Sequence, residues 1–111
     1  MRIYDIRDSD GRVVAFEVPN FFLGRRGACR VVRAIAAARI LRTPRRFRLF
    51  DDEEFCEFEL EGEQFVLYEP YGDNTRYWIG PKQPRWVPQL SIVREAFERA
   101  GLWGWFRRAA G

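Results

Sequence analysis

Residues 54–81 read EFCEFELEGEQFVLYEPYGDNTRYWIGP, and this stretch decides the fold. From Glu54 to Glu61, Cys56, Phe58 and Leu60 fall on one side of a pleat. Phe55, Glu57, Glu59 and Glu61 fall on the other, the two-residue period of a half-buried strand. Gly62 marks a tight turn, where a residue without Cβ takes positive φ at no steric cost. Gln64 to Glu69 is almost wholly apolar or aromatic, which predicts a more central strand. The turn-forming run Pro70-Tyr71-Gly72-Asp73-Asn74 ends it, and Arg76 to Ile79 resumes as a third strand that Gly80-Pro81 stops. The reading is a three-stranded antiparallel meander.

Toward the N-terminus, Arg2–Asp8 and Arg12–Val18 flank Ser9-Asp10-Gly11, which predicts a hairpin. Between hairpin and meander, Arg25 to about Ala38 has helical spacing. Ala28, Val31, Val32 and Ile35 share one stripe, and Arg26, Arg30 and Arg33 share the opposite face. Pro44 closes that helix at the latest, because the residue before proline resists helical backbone. Arg46–Phe50 reads as a short strand, and Gln83–Pro88 as a connector carrying Trp86. A second helix is expected from Gln89 to Ala100, with Gly101 as its terminator. The aromatic and basic tail 102–111, with glycines at 101 and 104, makes a poor helix and is expected to dock on the body.

The order is ββαββββα: a single α+β domain over residues 1–111, with an antiparallel sheet of five to six strands and two helices on one face. At 111 residues and 47% hydrophobic, the chain is long and apolar enough to bury a core without a metal or disulfide framework. No apolar run approaches the roughly 20 residues that span a bilayer, and the N-terminus lacks a signal-peptide core, so a soluble, cytoplasmic protein is expected. Arginine outnumbers lysine 18 to 1, a bias that points to a GC-rich bacterial genome.

The charges are segregated. Residues 25–48 hold nine arginines and no acid, and residues 49–69 hold nine acids and no base. The acidic hairpin around Glu57, Glu59 and Glu61 suits a basic protein partner, through electrostatic steering. Carboxylates so placed also keep an edge strand from pairing with another chain. Residues 69–78 add Glu69, Asp73, Asn74, Arg76 and Tyr77, and the connector adds Trp86; Arg, Tyr and Trp are the types enriched at binding hot spots. The plainer reading of this loop is a turn braced by an Arg76–Glu69 pair with Trp78 in the core. These residues together form the expected contact surface of a protein-binding module, an immunity- or adaptor-like role being its most concrete form. The alternative is nucleic-acid binding through Arg26, Arg30 and Arg33. The basic helix and acidic hairpin could equally neutralise each other.

Catalysis is not expected. The chain has no histidine and no P-loop, GxSxG or dinucleotide turn, and a carboxylate pair such as Glu69 with Asp73 is common near turns. No cofactor or metal is expected either. Cys29 and Cys56 are too few for a disulfide scaffold and too isolated for a zinc site, and read as buried thiols. A bridge between them would need the first helix to pack on the first meander strand, and a reducing cytoplasm opposes it.

Overall fold

Two hairpins supply most of the sheet. The structure, a computed structural model, describes residues 2–20, 23–42, 54–69 and 75–110, with 42 and 102–110 described in backbone only. The N-terminal hairpin pairs β1 (Tyr4–Arg7) with β2 (Val13–Pro19). Its loop is closed by Asp8, whose Oδ1 accepts from the amides of Asp10 and Arg12, while Gly11 takes φ 82°. The meander comprises β4 (Glu54–Leu60), β5 (Glu63–Tyr68) and β6 (Arg76–Pro81). Between β4 and β5, Glu61 and Gly62 sit at φ 51° and 81°, opposite Leu60 paired with Glu63. Two positive φ values in a two-residue loop are the geometry of a type I′ turn, which matches the twist of the strands it joins.

The expected order ββαββββα is the one observed, but the strand between helix and meander lies elsewhere. Helix α1 spans Arg25–Arg33 and ends at Ala34, short of the predicted Ala38. The chain turns through hydrogen bonds from the Ile35 amide to Val32 and from the Ala38 amide to Ile35, then enters β3 (Ala38–Arg42). The alanine run favours helix by only tenths of a kcal/mol per residue. Ladder pairs Ala38–Leu60, Arg39–Glu59 and Ile40–Phe58 outweigh it, with Ala38 and Ile40 packed on the core. The strand expected at Arg46–Phe50 lies outside the described residues. Helix α2 spans Gln89–Ala110, so Gly101 does not terminate it and the predicted tail continues as helix. No helix among the described residues is long and apolar enough to cross a membrane.

The six strands among the described residues form one antiparallel sheet in the order β1-β2-β6-β5-β4-β3. Both helices cover one face. Ala28, Cys29 and Val32 of α1 and Leu90, Val93 and Phe97 of α2 share a buried cluster with Phe16, Phe58, Phe65, Leu67 and Ile79. Phe58 and Phe65 stack across the hairpin at 5.2 Å, and Phe97 meets Phe16 edge-on at 5.8 Å. Phe55, expected on the outward side, is buried with Cys56 because the β4–β5 register shifts between Glu54 and Cys56. A bulge of this kind turns two successive side chains toward one face.

The other face carries a smaller cluster of Ala15, Val66 and Trp78, flanked by Ile6 and Tyr68. The Trp78 indole lies over its own strand at Gly80. A Cβ there would stand 2.8 Å from the Ala15 Cβ and 2.9 Å from the indole ring, so the glycine makes the close approach possible.

Candidate functional site

The hairpin carboxylates are mostly engaged. Glu57 accepts from Gln64 Nε2 at 3.2 Å and from Lys82 Nζ at 3.4 Å. Glu59 accepts from Arg39 at 2.9 Å, across the β3–β4 ladder. On β5, Arg85 reaches both oxygens of Glu63, at 2.6 and 2.7 Å. Glu61 stands exposed in the turn. The cations on Glu57, Glu59 and Glu63 include Lys82 and Arg85 of the β6–α2 connector and Arg39 of β3.

The expected contact surface is therefore not one surface. Glu69 lies beside the start of α1, where Arg25 pairs with it at 2.5 Å and both side chains are about 20% exposed. Asn20 also reaches it, so the expected Arg76–Glu69 brace is replaced by an Arg25–Glu69 one. Arg76 instead sits over the Tyr4 ring, 3.6 Å from its centroid, and 3.6 Å from Glu17. Tyr77 is 4% exposed, packed edge-on against Phe55, and presents no face to a partner. Burial, and then the Glu69 carboxylate, push its phenol pKa up. Trp86 is 50% exposed, with the Arg12 guanidinium over it at 5.7 Å. It borders a hollow of about 340 Å³ lined by Val13, Val87, Pro88, Leu90 and Arg94. Asp73 and Asn74 lie outside the described residues.

Helix α1 behaves differently. Its buried side is Ala28, Cys29 and Val32, with Arg25 half-buried at the same azimuth, so the stripe is rotated from the predicted one. Val31 and Ile35 are left only half-buried. Arg26, Arg30 and Arg33 are exposed at positions i, i+4 and i+7, and none of the three makes an ion pair among the described residues. Arg30 and Arg33 lie in the last turn, where the negative end of the helix dipole favours a cation. Axial separations of about 6 and 4.5 Å, from a rise of about 1.5 Å per residue, place the three in one basic row.

Beside this row runs a groove between α1 and α2, of about 600 Å³. Its floor is apolar: Val31, Ala34, Ile35 and Ala36 from α1 and the segment after it, and Ile92, Ala96 and Ala100 from α2. Arg30 stands on one lip, and Arg99, held by Glu95 at 2.7 Å, on the other. Ile92 is 39% exposed. The periodicity of α1 pointed at Val31 and Ile35 as core residues. That they also border a groove follows from how α1 and α2 lie beside each other, which no local pattern encodes.

Among the described residues, no cluster of three His, Cys, Asp or Glu side chains could hold a metal ion. In comparisons with known proteins, no family model, no curated protein and no solved structure matches this chain.

Proposed function

We propose that this chain is a protein-binding module that takes an acidic, amphipathic segment of its partner into the groove between α1 and α2. One observation carries the reading: an apolar groove has the exposed Arg30 on its lip, Arg26 and Arg33 lie in the same helix row, and none of the three is ion-paired among the described residues. An acidic amphipathic helix fits both parts, its apolar stripe on the Ile35 and Ile92 floor and its carboxylates on the arginine lip. The hairpin acids are weaker candidates because ion pairs at Glu57, Glu59 and Glu63 cancel most of the field that would steer a basic partner. Arginines without an ion pair among the described residues keep theirs, which raises the encounter rate with an acidic surface and disfavours basic ones. An adaptor- or immunity-like role is compatible with such a surface.

A second reading is favoured by the row itself. Three arginines along one helix face suit the phosphates of a nucleic acid, which would not need the apolar floor.

The test is capture from lysate, split into nuclease-treated and untreated halves, with four baits: the unsubstituted chain, Ile92→Arg in the groove, Arg26→Glu/Arg30→Glu/Arg33→Glu in the arginine row, and Glu59→Lys on the hairpin. The groove reading expects one protein that is lost with the first two variants and retained with the third. Loss only with Glu59→Lys would return the site to the hairpin. A catch that disappears with nuclease, and ignores Ile92→Arg, would establish the nucleic-acid reading instead.

A further inference from the structure

The two cysteines of the chain, 27 positions apart, meet where α1 packs on β4. Cys29 lies on the buried side of α1, and Cys56 follows the bulge that turns β4 into the core. Both are thiols outside any disulfide, with exposures of 3% and 0%, and their sulfurs stand 2.9 Å apart. A disulfide bond is about 2.05 Å long, so small side-chain rotations close the remaining gap. This contact is long-range and specific: it exists because the helix and the meander strand dock, and the chain has no other cysteine to compete.

We propose that Cys29 and Cys56 form a redox site, joined reversibly into an intramolecular disulfide by exchange with a low-molecular-weight disulfide, which cross-links α1 to β4. The Cys29 thiolate attacks one sulfur of the small disulfide. That S–S bond breaks, a mixed disulfide forms, and one small thiolate leaves. Cys56, deprotonated, then attacks the Cys29 sulfur, forming the internal bond and releasing the second small thiolate. The two cysteine sulfurs lose two electrons, the small disulfide gains them, and the two protons pass to the released thiolates.

The surroundings favour Cys29 as the attacking group. The hydrogen bond with Cys56, and next to it the Arg33 guanidinium, hold the Cys29 thiol at about 7, below its ordinary range and against the effect of burial. A thiol titrating near neutral pH combines thiolate population with nucleophilicity. Reagent reaches it through local opening of α1, a nine-residue helix whose fully buried side chains are only Ala28, Cys29 and Val32. Once formed, the bond closes a loop that contains β3 and removes freedom from the unfolded chain. It also fixes the helix that carries the arginine row. The sulfur contact exists whether or not the groove takes a partner.

The test equilibrates the full chain in buffers of graded reduced-to-oxidised glutathione ratio, with and without denaturing urea. Remaining thiols are trapped with an alkylating agent and the intact mass is read. The expected product is a monomer with no alkylated thiol, formed in the folded chain at ratios at least about ten-fold more reducing than in urea. It should melt several degrees higher than the reduced chain, and dithiothreitol should reverse both changes. Equal midpoints in folded and unfolded chains would overturn the proposal. So would a stable mixed disulfide, an oxidised dimer, or two alkylated thiols at every ratio. Cys29→Ser and Cys56→Ser, each leaving one thiol, should stop at the mixed disulfide; an unalkylated monomer from either would show that the mass change is not the internal bond.

Discussion

The β4–β5 hairpin and helix α1 carry opposite charge at similar density, yet they spend it differently. Three of the hairpin carboxylates have a cation within 3.4 Å, supplied by β3 and by the connector that follows β6. On α1, Arg25 is so engaged, whereas Arg26, Arg30 and Arg33 make no ion pair among the described residues. The reason is geometric. In a sheet, every outward side chain has cross-strand neighbours a few ångströms away, so Glu59 meets Arg39 and Glu57 meets Gln64. On a helix at the surface, the outward face has only its own i±3 and i±4 neighbours, and α1 contains no acid to fill them. Charge segregation in a sequence therefore does not say which patch remains open. The element type does.

The same contrast extends to stability, and there the effect of substitution should be largest. Phe58, fully buried and stacked on Phe65, belongs to the hairpin, whereas Val32 holds α1. Phe58→Ala is expected to cost about 3–5 kcal/mol in urea unfolding, through lost transfer energy and the cavity left behind. Val32→Ala should cost less, about 1–2 kcal/mol. If the two costs were equal, α1 would be as firmly built into the core as the hairpin, and the contrast would fail.

Next in size is the charge itself. Once a partner is in hand, Arg26→Glu/Arg30→Glu/Arg33→Glu should weaken binding by roughly ten- to hundred-fold, mainly in the association rate. Glu59→Lys should change it by about two-fold or less, since exposed ion pairs contribute little. Reversal of that ranking by surface plasmon resonance would place the contact on the hairpin.

A smaller effect sharpens the place where the two regions touch. Because the Cys29 thiol is held at about 7 in the folded chain, below its ordinary value, the folded state gains stability where the thiolate is preferred. That gain is complete above the ordinary thiol pKa and is lost as pH falls through about 7. Urea unfolding of the reduced chain between about pH 9 and 6, the window of thiol titration, should show it. The chain has no histidine to obscure the change. Cys56→Ala should flatten the profile and move the thiolate absorbance midpoint of Cys29 upward.

The smallest expected change lies at the tip of the hairpin. Glu61 occupies left-handed backbone at φ 51°, where asparagine and glycine are at ease. Glu61→Asn is expected to stabilise the chain by about 0.5–1 kcal/mol with no effect on binding, read as a higher urea midpoint. A lower midpoint would mean that the carboxylate contributes something the turn geometry does not reveal.

Much of the fold was legible in local pattern. The alternation Cys56-Phe58-Leu60, the Gly62 turn and the Asp10-Gly11 loop each follow from short-range sterics, and each element they predict is present. Errors arose where tertiary pairing overrode propensity. Alanines 36–38 favoured helix, but the free edge of β4 drew Ala38–Arg42 into the sheet. Gly101 looked like a stop, yet the backbone of α2 runs through it.

The candidate site was far less legible. Arginine residues 26, 30 and 33 were visible as a stripe, because helical periodicity is local. Whether that stripe was free, and whether the hairpin acids were bound, depended on residues 20 or more positions away: Arg39 for Glu59, Lys82 for Glu57, Arg25 for Glu69. The sequence by itself determined the class of the domain, the order of its elements and the segregation of its charge, since backbone sterics and periodicity act over a few residues. Only the tertiary structure decided which charges cancel, that Val31, Ile35 and Ile92 border a groove, and that two distant thiols touch. Those outcomes are set by the distances between elements, and distances between elements are written in packing rather than in any local stretch of the chain.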